Sequence, residues 1–409
     1  MTDPADDNAP IWRHYAWVIT VACTLCVMVS LGFGRFALGM LLPSMGATLP
    51  LSYAEMGFVS TGNFVGYMLG VVAAGRLVEA CGERRVMSVG LTICALSIIA
   101  MGWADSFYQA LGIYGVTGFS GGAANVTALG LVSHWFTRRL RGRAAGFQVT
   151  GSSFAIMFAG LALPQINLSV GLEGWRDGWM LLGGISLAAA IVSSLILRNR
   201  PADLGLEPAG GDSNDTAASR AQGHPGRRIV AHLGAIYFFF GMTYAVYLTF
   251  TVTALVDERG LNEAAAGRFW AFLGLLSVAS GPLFGFLSDR FGRRHGLAMA
   301  FACFAASYAL AAANIGPAAL WGSVVLFGIA AWSVPAILGA AVGDYAGPRN
   351  AVRVLATITV AFACGQTVGP AVAGLLAEQT GSFTPSYAGI TIAAVLAVII
   401  SLRLPAPRG

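Results

Sequence analysis

The chain has 409 residues, 56% hydrophobic and only 11% charged, with a formal net charge of +5. A soluble globular protein carries about a quarter of its residues as charges, so this composition excludes a water-soluble enzyme or nucleic-acid-binding module and calls for a bilayer. Every one of the 24 basic residues is Arg, which reads as compositional bias, and the six cysteines lie in or beside apolar runs as free packing thiols.

Met1 to Pro10 is acidic and polar and lacks the basic-then-apolar order of a cleaved signal. Residues 1–15 are therefore expected to form a tail ahead of the first span. Twelve apolar spans follow, at about 16–42, 54–78, 86–104, 108–134, 144–166, 178–197, 232–256, 265–288, 296–314, 318–343, 354–377 and 386–403. These lengths fit helices, because a barrel strand would be about half as long and alternating. Between spans six and seven, residues 198–230 are rich in Pro, Gly, Asp and Arg and read as a polar, mostly irregular linker. The expected architecture is an all-α polytopic membrane protein: a six-helix bundle over 16–197, the linker, a second bundle over 231–403, and a tail over 404–409.

The second half contains Gly285-Phe-Leu-Ser-Asp289-Arg290-Phe-Gly292-Arg293-Arg294, and a weaker copy, Gly75-Arg-Leu-Val-Glu79-Ala-Cys-Gly82-Glu-Arg84-Arg85, lies 210 residues earlier. The same offset pairs Arg139 with Arg349, Arg143 with Arg353 and His134 with Asp344. A charged loop repeated at one offset in an apolar chain points to two equivalent halves, a known build of transporters. With the N-terminus in the cytoplasm, nearly all Arg fall on that side; only Arg176, Arg259 and Arg268 fall opposite. This bias places both termini inside. The basic loops also meet anionic lipid head groups.

The Gly-x-x-x-Asp-Arg-x-Gly-Arg-Arg loop after spans two and eight resembles the signature of the major facilitator superfamily, and the resemblance covers nearly the whole chain. It implies two six-helix bundles rocking against each other, with helices 1, 4, 7 and 10 lining a central cavity, and an expected monomer. Gly34-Arg35-Phe36 leading to Leu41-Leu42-Pro43 resembles YbfB-type permeases. Asn199-Arg200-Pro201-Ala-Asp203-Leu-Gly205-Leu resembles the linker start of bacterial monocarboxylate and oxalate/formate porters, although the Arg those porters carry before the helix-8 Pro is Gly281 here. Gly75 and Gly285 mark close approaches at helix ends. Glu79 and Asp289 can accept hydrogen bonds from a neighbouring helix N-terminus. Arg290, Arg293 and Arg294 can pair with carboxylates of the other bundle as an inner gate, and Arg84, Arg143 and Arg353 belong to the same set. The alternative is a pure topology anchor.

Arg35 is the clearest ion well inside a span. With the span ending at 42, it lies on the order of 10 Å outside the midplane. No intramembrane Asp or Glu is available to pair with it, so on a cavity-lining helix it points to an anion, most simply a carboxylate held bidentately. The competing reading is an Arg snorkelling to the interface or held by carbonyls and tyrosines. Further candidates for the same cavity are Tyr114 and Asn125 on helix 4, Tyr237 and Tyr244 on helix 7, Asn63 on helix 2, Trp332 on helix 10 and Gln366 on helix 11. Each has a competing role as an interhelical bond or interface anchor. Proton-coupling candidates are Glu55 and Asp257 near the outer ends and His134 and Asp344 near the inner ends, against the reading that they are interface residues.

No nucleotide loop, metal cluster or nucleophile constellation is present, so no cofactor, metal or enzyme activity is expected. The expected function is secondary transport of a small organic solute across a bacterial inner membrane. An organic anion such as a monocarboxylate is favoured, with a co-transported proton as an option. Drug or metabolite efflux, and a sensor on a transporter scaffold, are the alternatives.

Overall fold

In the computed structural model, residues 14–210, 226–313 and 315–405 are described. The acidic segment Met1–Pro10 and residues 211–225 of the expected linker lie outside them. The chain is built from helices α1 (Tyr15–Thr48), α2 (Tyr53–Cys81), α3 (Glu83–Met101), α4 (Phe107–Trp135), α5 (Arg138–Val170) and α6 (Gly174–Ile196), then α7 (Arg227–Glu258), α8 (Glu263–Phe291), α9 (Arg293–Ala312), α10 (Pro317–Gly347), α11 (Arg353–Thr380) and α12 (Thr384–Leu402). Eleven of these are long and apolar enough to cross a membrane. The twelfth, α4, has the length but not the hydropathy. It is rich in Gly, Ala, Ser and Thr and buries that small polar face among its neighbours.

Helix starts are written in the local sequence. Ser52 and Glu55 form a reciprocal capping box at α2, Ser106 accepts from the Gln109 N–H at α4, and Asn262 accepts from the Ala265 N–H at α8. The α2–α3 and α8–α9 turns pivot on Gly82 (φ 80°) and Gly292 (φ 87°), a left-handed backbone that only glycine adopts without strain. They are the paired glycines of the repeated loop.

The linker expected over 198–230 differs at both ends. α7 already starts at Arg227, and Pro201–Leu204 is a short 3₁₀ turn. Ala209 exchanges backbone hydrogen bonds with Trp135 and Thr137, so the first linker residues dock onto the α4–α5 turn. Asn199 accepts from the Arg84 N–H at the start of α3.

The two bundles meet along α2 with α11 and α5 with α8, and the 210-residue offset relates the two seams. Gly57 lies against the Pro370 carbonyl, and Gly267 lies against the Gly160 carbonyl; a Cβ at either glycine would collide with that oxygen. Further bonds close the same end: Ala54 N–H to Glu378 (3.0 Å), Ser60 to Thr249 (3.0 Å), Thr61 to the Thr367 carbonyl (2.9 Å) and Asn167 to Glu263. At the end carrying the arginine-rich loops, no hydrogen bond or ion pair among the described residues joins the bundles. There Gly75, Gly142, Gly146, Gly281, Gly285, Gly339 and Gly343 have no neighbouring group that an added Cβ would meet. The bundles are therefore shut at one end and separated at the arginine-rich end.

Candidate substrate site

α1 is not a continuous α-helix. Met28–Phe36 is wound as a π-helix, and Arg35 sits in its last turn. Such segments concentrate at functional sites because the wider turn changes where side chains and carbonyls point. α1 runs on to Thr48, so Arg35 is three to four residues from the helix centre, about 5 Å along the axis at ~1.5 Å per residue. Its side chain is 8% exposed and does not snorkel.

Neighbouring helices lock the π-turn. The Tyr114 hydroxyl donates to the Arg35 carbonyl (2.8 Å), and the Asn63 amide donates to the carbonyls of Gly34 (2.9 Å) and Tyr114 (3.1 Å). The guanidinium lies over the Tyr67 ring at 4.1 Å and the Phe64 ring at 4.9 Å, an attraction of about 1–2 kcal/mol when desolvated. Asn125 donates to the Tyr67 hydroxyl (2.7 Å) and fixes that ring. Nη1 of Arg35 donates to Gln366 Oε1 (3.4 Å), which also accepts from the Tyr244 hydroxyl (3.0 Å). Arg35 Nε, Arg35 Nη2 and Gln366 Nε2 are buried with no partner.

The orphaned pair decides what the site can hold. Nε–H and Nη2–H are the parallel donors along one edge of a guanidinium, the fork that matches a carboxylate. Arg35 lines a small cavity together with Phe36, Phe64, Tyr244, Ala245 and Leu248 among others. The Ser60–Thr249 bond borders it toward the closed end.

The sequence candidates separate into groups. Arg35, Tyr244 and Gln366 are joined directly. Asn63, Tyr114 and Asn125 support Arg35 and Tyr67 from behind, so α4 braces the site at these positions. Tyr237 belongs to a ring stack with Phe362 (centroids 4.6 Å) and Phe240, which continues to Tyr244. Trp332 lies 5.5 Å from Phe36 across the bundle interface and donates through Nε1 to Ser153 (3.2 Å). Ser60, Phe64 and Tyr67 on α2 are site residues that sequence reasoning misses. Their i, i+4, i+7 spacing marks one face, but the more conspicuous pattern on that helix is the Gly62, Gly66, Gly70 face, which packs on α4.

None of the four proton-coupling candidates reaches this cavity. Glu55 caps α2, and Asp257 lies beside the Tyr53 hydroxyl. His134 meets Glu83 at 3.1 Å, and Asp344 meets Arg293 at 2.7 Å. The loop residues also depart from expectation. Arg293 bonds Asp289 and Asp344 of its own bundle, so Asp289 faces Arg293 rather than a helix N-terminus. Arg84 bonds the Ser194 carbonyl of its own bundle. Glu79, Arg143, Arg290, Arg294 and Arg353 are exposed. With the arginine-rich end open, no cross-bundle pair of this set is formed among the described residues.

Residues 27–402 match the family described as "Uncharacterised MFS-type transporter YbfB". The chain belongs to this family of major facilitator transporters. It is similar to a probable sulfoacetate transporter, SauU, of Cupriavidus necator (24% identical, covering 88% of this chain and 87% of that protein). It is also similar to a hexuronate transporter of Bacillus subtilis (23%, covering 90% of each). Among solved structures, a bacterial homolog of the human lysosomal transporter Spinster, in an inward-facing and occupied conformation, matches with a TM-score of 0.71 at 17% identity over 95% of each chain. This transporter thus has the two-bundle major facilitator fold and is a multi-pass membrane protein.

Proposed function

We propose that this secondary transporter moves a small organic anion by alternating access, holding its carboxylate on the Nε/Nη2 edge of Arg35. The carrying observation is that edge itself: two buried guanidinium donors, unpartnered, on a side chain that lines a cavity at the interface of the bundles. A buried cation without a counter-ion costs several kcal/mol unless a ligand satisfies it. An anion bound there neutralises Arg35 and touches both bundles through Gln366 and Tyr244. Binding is thereby linked to their relative position. The relatives named for sulfoacetate and hexuronate transport handle acids, which favours the same substrate class.

The arginine-rich end faces the cytoplasm in this reading, in a bacterial inner membrane with both termini inside, because basic loops are retained there. The structure then corresponds to the inward-open state. The loop residues from Gly75 to Arg84 and from Gly285 to Arg294, with Arg143 and Arg353, act when the inner end closes. The test is counterflow in proteoliposomes preloaded with an unlabelled carboxylate. Accelerated entry of labelled acid is expected; binding without flux would assign the scaffold to sensing instead.

A further inference from the structure

The chemistry of the unpartnered atoms narrows the substrate beyond "organic anion", a narrowing that rests on the carboxylate reading of Arg35. We infer that the Arg35 cavity selects a small, singly charged carboxylate with an apolar or aromatic, unhydroxylated body, and discriminates against dianions and polyhydroxylated acids.

The charge count comes first. Arg35 is the one cation at the cavity among the described residues. The position 210 residues on, which would supply a second by symmetry, is Ala245, and it lines the same cavity. The counterparts of Gln366 and Tyr67 are Ile156 and Ser277, so the second half offers no duplicate of the anion-binding set. A second carboxylate would be buried without a counter-charge.

The donor count comes next. Every unpartnered polar side-chain atom at the site is a donor: Arg35 Nε, Arg35 Nη2 and Gln366 Nε2. The cavity offers only three side-chain hydroxyls to a sugar acid, Ser60, Thr249 and Tyr244. Ser60 and Thr249 bond each other, and the Tyr244 hydroxyl donates to Gln366. A ligand hydroxyl needs acceptors as well as donors, and the remaining wall is Phe36, Leu38, Phe64, Ala245 and Leu248. An acceptor-only head on an apolar body matches this surface; a polyol leaves buried groups unpaired. The inferred specificity differs from the names of both relatives: sulfoacetate carries two anionic groups, and a hexuronate is polyhydroxylated.

The experiment uses the wild-type transporter in proteoliposomes and measures binding of benzoate, phthalate, gluconate and benzamide, with Arg35→Gln as the control for site occupancy. Benzoate is expected to bind in an Arg35-dependent way, with phthalate and gluconate at least about tenfold weaker, since each leaves a buried group unmatched. Phthalate or gluconate binding within threefold of benzoate, lost in Arg35→Gln, overturns the inference while leaving the carboxylate reading intact. Benzamide binding as well as benzoate, or no acid binding at all, overturns the carboxylate reading and the inference with it.

Discussion

Arg35 and Gln366 meet across the interface between the two bundles, Nη1 to Oε1 at 3.4 Å, and neither has an equivalent at its symmetry-related position. The contact leaves the opposite edge of the guanidinium free for a ligand while tying its orientation to the second bundle. Replacing Gln366 with Leu removes the acceptor of both Arg35 and Tyr244. Substrate affinity is expected to fall about tenfold, the cost of roughly one charged-group hydrogen bond. Equilibrium binding on the purified variant checks this.

The π-turn depends on side chains that never reach the cavity. Tyr114→Phe leaves the Arg35 carbonyl without its 2.8 Å donor. The expected loss is about 1–2 kcal/mol of stability for a buried bond, read as a lower denaturation temperature in detergent, with weaker substrate binding as a consequence. Tyr67→Leu removes the ring under the guanidinium and should weaken binding by a comparable ~1–2 kcal/mol, without the same loss of stability.

The closed end rests on two seams that obey the 210-residue offset. A Leu at Gly57 or Gly267 cannot fit against the carbonyl of Pro370 or Gly160. Either substitution is expected to hold that end apart. A cysteine placed at Ser60, which is buried, should then react with a membrane-impermeant thiol reagent from the closed side and remain protected in the Gly57/Gly267 parent. Because Glu378 and Glu263 also bridge these seams, Glu378→Gln should give a weaker shift in the same direction.

At the open end, Arg293 holds Asp289 and Asp344 within one bundle. If these charges serve closure of that end, Asp289→Asn lowers turnover several-fold and leaves substrate affinity at the open site unchanged. Measuring kcat and binding separately distinguishes this from a folding defect, which would lower both.

The membrane class, the two-bundle plan and Arg35 are readable in the sequence, because burial in lipid leaves long apolar runs and makes an intramembrane ion conspicuous. The π-helix at Met28–Phe36 is not, since no residue type in that run demands an i→i+5 turn. The length of the first helix is also not readable, because Pro43 lies inside a helix that continues to Thr48. Tyr67 is hidden beside the glycine face of α2. Ser60 and Thr249 carry their meaning only once the bundles are assembled, as contacts between residues far apart in the chain have no local signature. The cross-bundle pairing expected of Arg293 needs the arginine-rich end closed, and the structure is open there.

The central claim is that the free edge of Arg35 holds the carboxylate of the substrate. The most direct measurement is the affinity of benzoate for wild type, Arg35→Lys and Arg35→Gln under the same conditions. The account predicts a loss on the order of tenfold for Lys, which keeps the charge but lacks the fork, and on the order of a hundredfold or more for Gln, which lacks both. Equal affinity in all three proteins would contradict it.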